Sequence, residues 1–206
     1  MPTLVVQHPE LESSVRYRIP TDLDVMDDHA FYDWCQENDG LHIERSALGE
    51  IEIVAPSGWE TGSRNNQIAR QLGNWATQDG RGFACDSSTG YILPNRAERS
   101  PDASWILKER VETVPKDQRE KFLPLCPDFV IELLSPSDSM ARHQSKMEEF
   151  IANGASLGWL IDPFQKQVHI YRPGADPEIL ERPATVCGEG LMAGFTLDLE
   201  LIFARD

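Results

Sequence analysis

The chain has 206 residues, enough for one domain with a sizeable core, and its 40% hydrophobic and 26% charged content is that of an ordinary soluble globular protein. A formal net charge of -15 and a pI near 4.7 argue against strong nonspecific binding to nucleic acid, because phosphate contacts need Lys and Arg. A local basic stripe can still survive inside a globally acidic field, and acidity of this kind also serves solubility.

The four cysteines (Cys35, Cys85, Cys126, Cys187) are scattered, with no CxxC and no Cys/His cluster, which disfavours structural zinc and suits buried thiols in a reducing cytoplasm. MPTLVVQHPELESS lacks the basic start and long apolar run of a secretory signal. No stretch approaches the roughly 20 apolar residues of a membrane span. A cytoplasmic protein with no membrane contact is expected.

In chain order, residues 1–26 form an N-terminal arm whose first 20 residues alternate weakly, as an edge strand would, and 27–206 form a single domain. Phe31, Trp34 and Cys35 mark a short helix over 27–38, closed by Asp39-Gly40. LHIER, SALG and EIEIVAP read as a β-hairpin. A helix follows over about 61–78, with Ile68, Leu72 and Trp75 in one apolar stripe and Gly80 as its stop. Residues 82–93 and 100–107 read as strands, and ERVETVPKDQREKF as a loop or amphipathic turn. CPDFVIELLS is apolar on both faces, so it should be a central strand. Ser135-Pro136-Ser137-Asp138 ends it and opens a helix that runs to Asn153-Gly154. LGWLID, QVHIYRP and PEILERP are further strands, and FTLDLELIF closes the chain. The unit 126–162 should be a right-handed strand–helix–strand crossover. The fold class is α/β, bordering on α+β: a mixed sheet flanked by helices. The tryptophans Trp59, Trp75, Trp105 and Trp159 fall in or near periodic apolar segments and are expected in the core.

Glu132 is the unusual residue of the central strand. A carboxylate in an apolar strand is costly to desolvate unless a metal ion or an ammonium group sits beside it. Strand parity puts Asp128, Val130, Glu132 and Leu134 on one face. Asp128 and Glu132 lie about 13 Å apart along the strand, too far to share one ion. The second carboxylate must come from another strand, and Asp102, behind Pro101 at the mouth of SPDASWIL, is the best donor. Two such acids would hold a divalent cation, with water and phosphate oxygens completing its shell. On the following helix Met140, Met147, Phe150 and Ile151 form the core face. Lys146 stands at its edge, where its methylenes can lie on apolar surface and its ammonium can reach back to the strand end. There it could orient water and stabilise charge on phosphate. Plainer roles are open: a turn cap for Asp102, a sheet-edge position or an Arg partner for Glu132, a surface stem for Lys146. Arg142 and His143, one turn before Lys146, can be read as phosphate contacts or as solvated groups. His42 and His169 read as structural, and Glu50 and Glu52 as solvent-facing charges of the hairpin.

The order PDAS, PDFVIELLSPSD, then Lys146 with EFIANGASLGWLIDP resembles the Uma-type restriction endonuclease family of the PD-(D/E)xK nuclease superfamily. HIERSALGEIEIVAPSG is similar to that family's hairpin, and the resemblance spans about residues 27–202. It implies a restriction-endonuclease-like fold, Asp102 and Glu132 as ligands of Mg2+ or Mn2+, and Lys146 as the catalytic lysine. Glu44, the hairpin glutamate, would be a further ligand or a support for the others. Two departures stand out. Leu134 occupies the position of the lysine two residues after the acid, so Lys146 must serve from the helix, and Asn65 stands where many relatives carry histidine. The expected activity is metal-dependent hydrolysis of DNA phosphodiesters by a homodimer, whose two-fold would match the duplex. The rivals are a nuclease-like protein that binds or regulates without turnover, and a metal hydrolase acting on a small phosphorylated molecule.

Overall fold

The computed structural model describes residues 3–6, 15–18, 26–38, 41–54 and 56–203. In the arm, β1 (Thr3–Val6) and β2 (Val15–Arg18) pair as an antiparallel two-stranded ribbon. Helix α1 (Asp28–Glu37) starts where the Asp27 carboxylate accepts the Ala30 N–H at 2.8 Å, a side-chain N-cap. Its Phe31 and Trp34 pack on Ile43 in a small core of their own. The expected Asp39-Gly40 stop lies outside the described residues; the helix is capped by Asn38, whose N–H reaches the Cys35 carbonyl.

The hairpin forms as read, from β3 (His42–Arg45) and β4 (Ile51–Val54), with Gly49 supplying the positive φ of the turn. Helix α2 (Trp59–Asp79) ends at Gly80, which adopts φ 72 and returns its N–H to the Ala76 carbonyl. Its stripe Ile68, Leu72 and Ala76 is buried and Trp75 partly so. Trp59 corrects the sequence expectation: it is an exposed residue at the helix start, not a core one. Nine residues at 3.6 per turn put it about 180° around the helix from Ile68, on the side away from the stripe.

Residues 82–93 divide into β5 (Gly82–Asp86) and β6 (Tyr91–Ile92), and 98–107 into β7 (Glu98–Arg99) and β8 (Ala103–Leu107). The break at Ser100-Pro101-Asp102 has a cause in Pro101, which has no N–H to give a ladder. On its two sides the chain enters different sheets. Helix α3 (Lys108–Glu112) and turns occupy the polar stretch; β9 (Phe129–Leu133) is the central strand, buried at all five positions. Next come α4 (Met140–Ala152), β10 (Leu157–Asp162), β11 (Gln167–Tyr171) and β12 (Glu178–Glu181). FTLDLELIF divides into β14 (Thr196–Asp198) and α5 (Glu200–Phe203), and β14 pairs with β13 (Thr185–Cys187).

The main sheet has the order β12-β11-β10-β9-β8-β5, and a second has the order β4-β3-β7-β6. In the main sheet β9 and β10 are parallel and the other pairs antiparallel, so the sheet is mixed, as the α/β reading requires. The crossover between β9 and β10 is α4. Alternation along β9 divides the core. Phe129, Ile131 and Leu133 join Ile68 and Leu72 of α2 on one face; Val130 and Leu134 join Met147 and Phe150 of α4 on the other. Aromatic rings fill the α2 side, with Trp159 stacked on Phe195 at 5.6 Å and set edge-on to Phe129 at 4.8 Å. Each such buried ring contributes roughly 2 kcal/mol through surface removed from water. This packing holds β9 in place and leaves Glu132, on the α4 face, at the rim where the two sheets meet. The cysteines depart from the expectation of burial: Cys126 alone is buried, Cys35 and Cys85 are half-buried and Cys187 is exposed, all four as free thiols.

Candidate active site

The antiparallel register of β8 and β9 pairs Ala103 with Ile131. One step further along the same register, Asp102 stands opposite Glu132. The Leu133 N–H donates to Asp102 Oδ2 at 2.8 Å, which fixes the carboxylate against the end of β9. Asp102 Oδ1 accepts from Asn65 Nδ2 at 2.9 Å, so the asparagine at the position of doubt anchors this acid from α2. Asn65 Oδ1 is itself buried without a hydrogen-bond partner.

Glu132 is 3% exposed, and Lys146 Nζ lies 2.9 Å from its Oε1. The approach has ion-pair distance but not hydrogen-bond geometry, so Oε1 remains an unsatisfied buried oxygen. The same ammonium donates to Glu44 Oε1 at 3.0 Å and lies 3.5 Å from the Ser100 carbonyl. Asp102, Glu132, Lys146 and Glu44 are thus brought together from β8, β9, α4 and β3. Asp128, on the same face of the chain as Glu132, is engaged elsewhere: it accepts from the Leu107 N–H at 2.9 Å and pairs with Arg110.

Sequence reasoning missed Arg99. Its Nη1 lies 3.3 Å from Glu44 Oε2 and its Nε donates to Glu149 Oε2 at 2.6 Å. The Ser100 N–H adds a bond to Glu44 Oε1 at 2.9 Å. Two buried acids, Glu44 and Glu132, exceed what Lys146 alone can balance, but the burial of Glu44 shows only in the fold. Arg142, read as a candidate phosphate contact, is ion-paired with Glu52 of the hairpin. His143 turns its Nε2 toward Glu132 Oε2 at 3.9 Å and Asp138 Oδ2 at 3.7 Å. His42 Nε2 lies 3.9 Å from Glu44 Oε1, and His169 is buried on β11, away from this site.

Burial pushes the Glu132 carboxyl up to about 8, against the pull of the Lys146 charge, and the neighbouring Asp102 and Glu44 push the same way. Burial raises Asp102 as well, opposed by the Leu133 N–H and Lys146. Burial alone would raise Glu44 and lower Lys146. The Lys146 charge, the Ser100 N–H and Arg99 instead hold Glu44 ionised, and the Glu132 and Glu44 carboxylates hold Lys146 protonated.

Four carboxylates (Glu44, Asp102, Glu132, Glu149) therefore face two cations (Arg99, Lys146). With every acid ionised the cluster would carry two surplus negative charges; burial instead favours protons on Glu132 and Asp102, which a divalent ion with oxygen ligands would displace. The buried, unpartnered Asn65 Oδ1 and the Glu132 carboxylate in the same cleft offer the donor chemistry for such an ion and its waters. Among the described residues no group of three or more His, Cys, Asp and Glu is arranged to hold a metal, so water and phosphate oxygens would have to complete the shell, the habit of magnesium. All of these groups line one cleft of about 1190 Å3 between the hairpin, α2 and α4.

A family model described as "Uma2: Putative restriction endonuclease" matches residues 28–200. The fold also matches the crystal structure of a putative nuclease belonging to DUF820 from Anabaena variabilis, with a TM-score of 0.67 and 20% identity over 79% of this chain and 89% of that one. No curated protein matches the chain.

Proposed function

The chain belongs to the Uma2 family of restriction-endonuclease-like proteins, and from that premise we propose that it is a metal-dependent phosphodiesterase that hydrolyses DNA. The observation that carries this reading is the cross-strand placement of Asp102 against Glu132 at a cleft, with Lys146 beside them. Asp102 and Glu132 would hold Mg2+ or Mn2+. When bound, the ion would supply positive charge to the phosphate and a more acidic water. Glu44 would hold Lys146 in place, and Asn65 and the Leu133 N–H would hold Asp102. A lysine kept protonated by two carboxylates is a donor and a cation, not a base. Its role would be to orient the attacking water and to stabilise charge on the phosphate oxygens as the P–O bond breaks.

In this reading residues 27–206 form the single nuclease domain, 1–26 its arm, and the protein works in the cytoplasm as a homodimer, which light scattering would test. Among the described residues no helix is long and apolar enough to cross a membrane.

The direct test is cleavage of plasmid DNA with magnesium or manganese. Activity that disappears in Asp102→Ala, Glu132→Ala and Lys146→Ala supports the proposal. DNA that binds but is never cut with either ion favours the rival, a nuclease fold used for binding. Turnover confined to a small phosphodiester favours the other hydrolase class.

A further inference from the structure

The cleft has a second wall that the chemistry above leaves unused. It is formed by β4 and the start of α2, and it presents Val54 and Trp59 beside the acidic site. Both are exposed, Trp59 at 78%. The charged groups of the cleft tell a different story. Among the described residues every Lys and Arg that lines it is ion-paired: Arg64 with Glu60, Arg99 with Glu44 and Glu149, Arg142 with Glu52, and Lys146 with Glu44 and Glu132.

We propose that the cleft takes DNA as a single strand, with one unpaired base laid on Trp59 and the adjoining phosphate directed to Asp102 and Glu132. The proposal rests on the nuclease reading and narrows its substrate class. Duplex binding depends on a row of Lys and Arg that neutralise phosphates on both strands, and among the described residues this cleft has no unpaired Lys or Arg for that row. A base inside a duplex has its faces covered by its neighbours, whereas an unpaired base can stack on an indole. Such stacking tolerates any base, because every base has a π-face. Val54, on the cleft face of β4, extends the apolar wall on which the base would rest. Trp59 is thus the residue that determines specificity for unpaired DNA.

Two measurements test this and keep it separate from the nuclease reading. Binding is followed without turnover, in the Asp102→Asn background, by tryptophan emission and by anisotropy of a labelled oligo-dT and of a labelled duplex. The expected result is preference for the single strand, quenching that is lost with Trp59→Phe because the reporter itself is gone, and affinity that falls on the order of tenfold with Trp59→Ala while Trp59→Phe keeps most of it. In the wild-type background, magnesium-dependent cleavage of the single strand should exceed that of the duplex, with KM raised by Trp59→Ala and kcat little changed. Equal affinity for duplex and single strand, or single-strand affinity unmoved by Trp59→Ala, overturns the proposal even if DNA is cut. Trp59-dependent binding of oligo-dT with no cleavage under any metal overturns the nuclease reading and leaves the stacking site standing. The melting temperature of Trp59→Ala and of Trp59→Phe is measured alongside, and affinity lost by Trp59→Ala in protein that is folded at the assay temperature is what supports the proposal.

Discussion

Glu44 and Lys146 are 102 residues apart in the sequence, yet the Lys146 ammonium donates to Glu44 Oε1 at 3.0 Å, as close as it stands to Glu132. One cation therefore serves two buried carboxylates from two different sheets. Removing it leaves both acids without that partner in a poorly hydrated place. Lys146→Ala should cost about 3 kcal/mol of stability, measured by urea denaturation, because an uncompensated buried charge is expensive. Lys146→Ala combined with Glu44→Gln should be less damaging than the sum of the single changes, since Glu44 is the acid held ionised and the second substitution removes the charge the first has stranded.

The acid–base state of Glu132 should be visible in stability against pH. Its unfolded value is 4.5, and burial raises it to about 8 in the folded protein. Between those values the folded chain holds a proton that the unfolded chain has released, so the contribution of this group to stability falls as pH climbs through the window. Lys146 has the opposite sense of charge. Its raised value gives stability that is complete below its unfolded value and is lost only in strong alkali. Over the neutral range Glu132 dominates this pair. Denaturation midpoints from about pH 5 to about pH 8 should fall more steeply for the wild type than for Glu132→Gln. A divalent ion, which binds the ionised carboxylate, should gain affinity over the same window and release a proton as it binds, which calorimetry in two buffers would read.

Much of this was legible before any coordinates. An acid inside FVIEL, a helix stripe that left Lys146 at its edge, and a proline ahead of Asp102 together pointed to one meeting place. Asn65 and Arg99 were not legible as partners, because hydrogen bonds such as Arg99 to Glu149, 50 residues apart, leave no local pattern. The short strands β6 and β7 also escaped as separate elements. Two residues show no period, and β6 is partly defined by a bridge to Leu123 in a distant loop. Trp59 lay ahead of the helix expected over about 61–78; the helix starts at Trp59, which puts it opposite Ile68, and hydrophobicity alone misplaced it.

Asp102 is held by two donors, the Leu133 N–H and the Asn65 amide. Asparagine has one carbonyl oxygen, so Asp102→Asn turns an NH2 group toward one of them. The change should cost about 1–2 kcal/mol, the usual penalty of an unmatched donor, besides abolishing cleavage. Asn65→Ala removes one bond from Asp102 and should weaken stability by about 1 kcal/mol, while leaving the acid anchored to β9. If Asp102 were an ordinary turn cap, its effect on cleavage would track its effect on stability. The prediction is that Asp102→Asn loses activity far beyond that loss, read by comparing initial rates with denaturation midpoints.

Two glycines distinguish packing from site geometry. A Cβ on Gly82 would collide with the Ile106 carbonyl and the Trp105 ring, both fixed parts of the main sheet. A Cβ on Gly158 would collide with the terminal methyl of Met147, the flexible end of an α4 side chain. Gly82→Ala should therefore cost about 3 kcal/mol, and Gly158→Ala only about 1 kcal/mol. Their effects on activity should run the other way. Met147 directly follows Lys146 on α4, and that helix packs on β10, so relief of the Gly158 clash shifts the element that carries the ammonium. Gly158→Ala should then lower kcat several-fold in protein that remains folded at the assay temperature. Gly82→Ala, tested at a temperature where it too stays folded, should retain wild-type kcat, because β5 lies at the edge of the sheet and contributes no side chain to the acid pair.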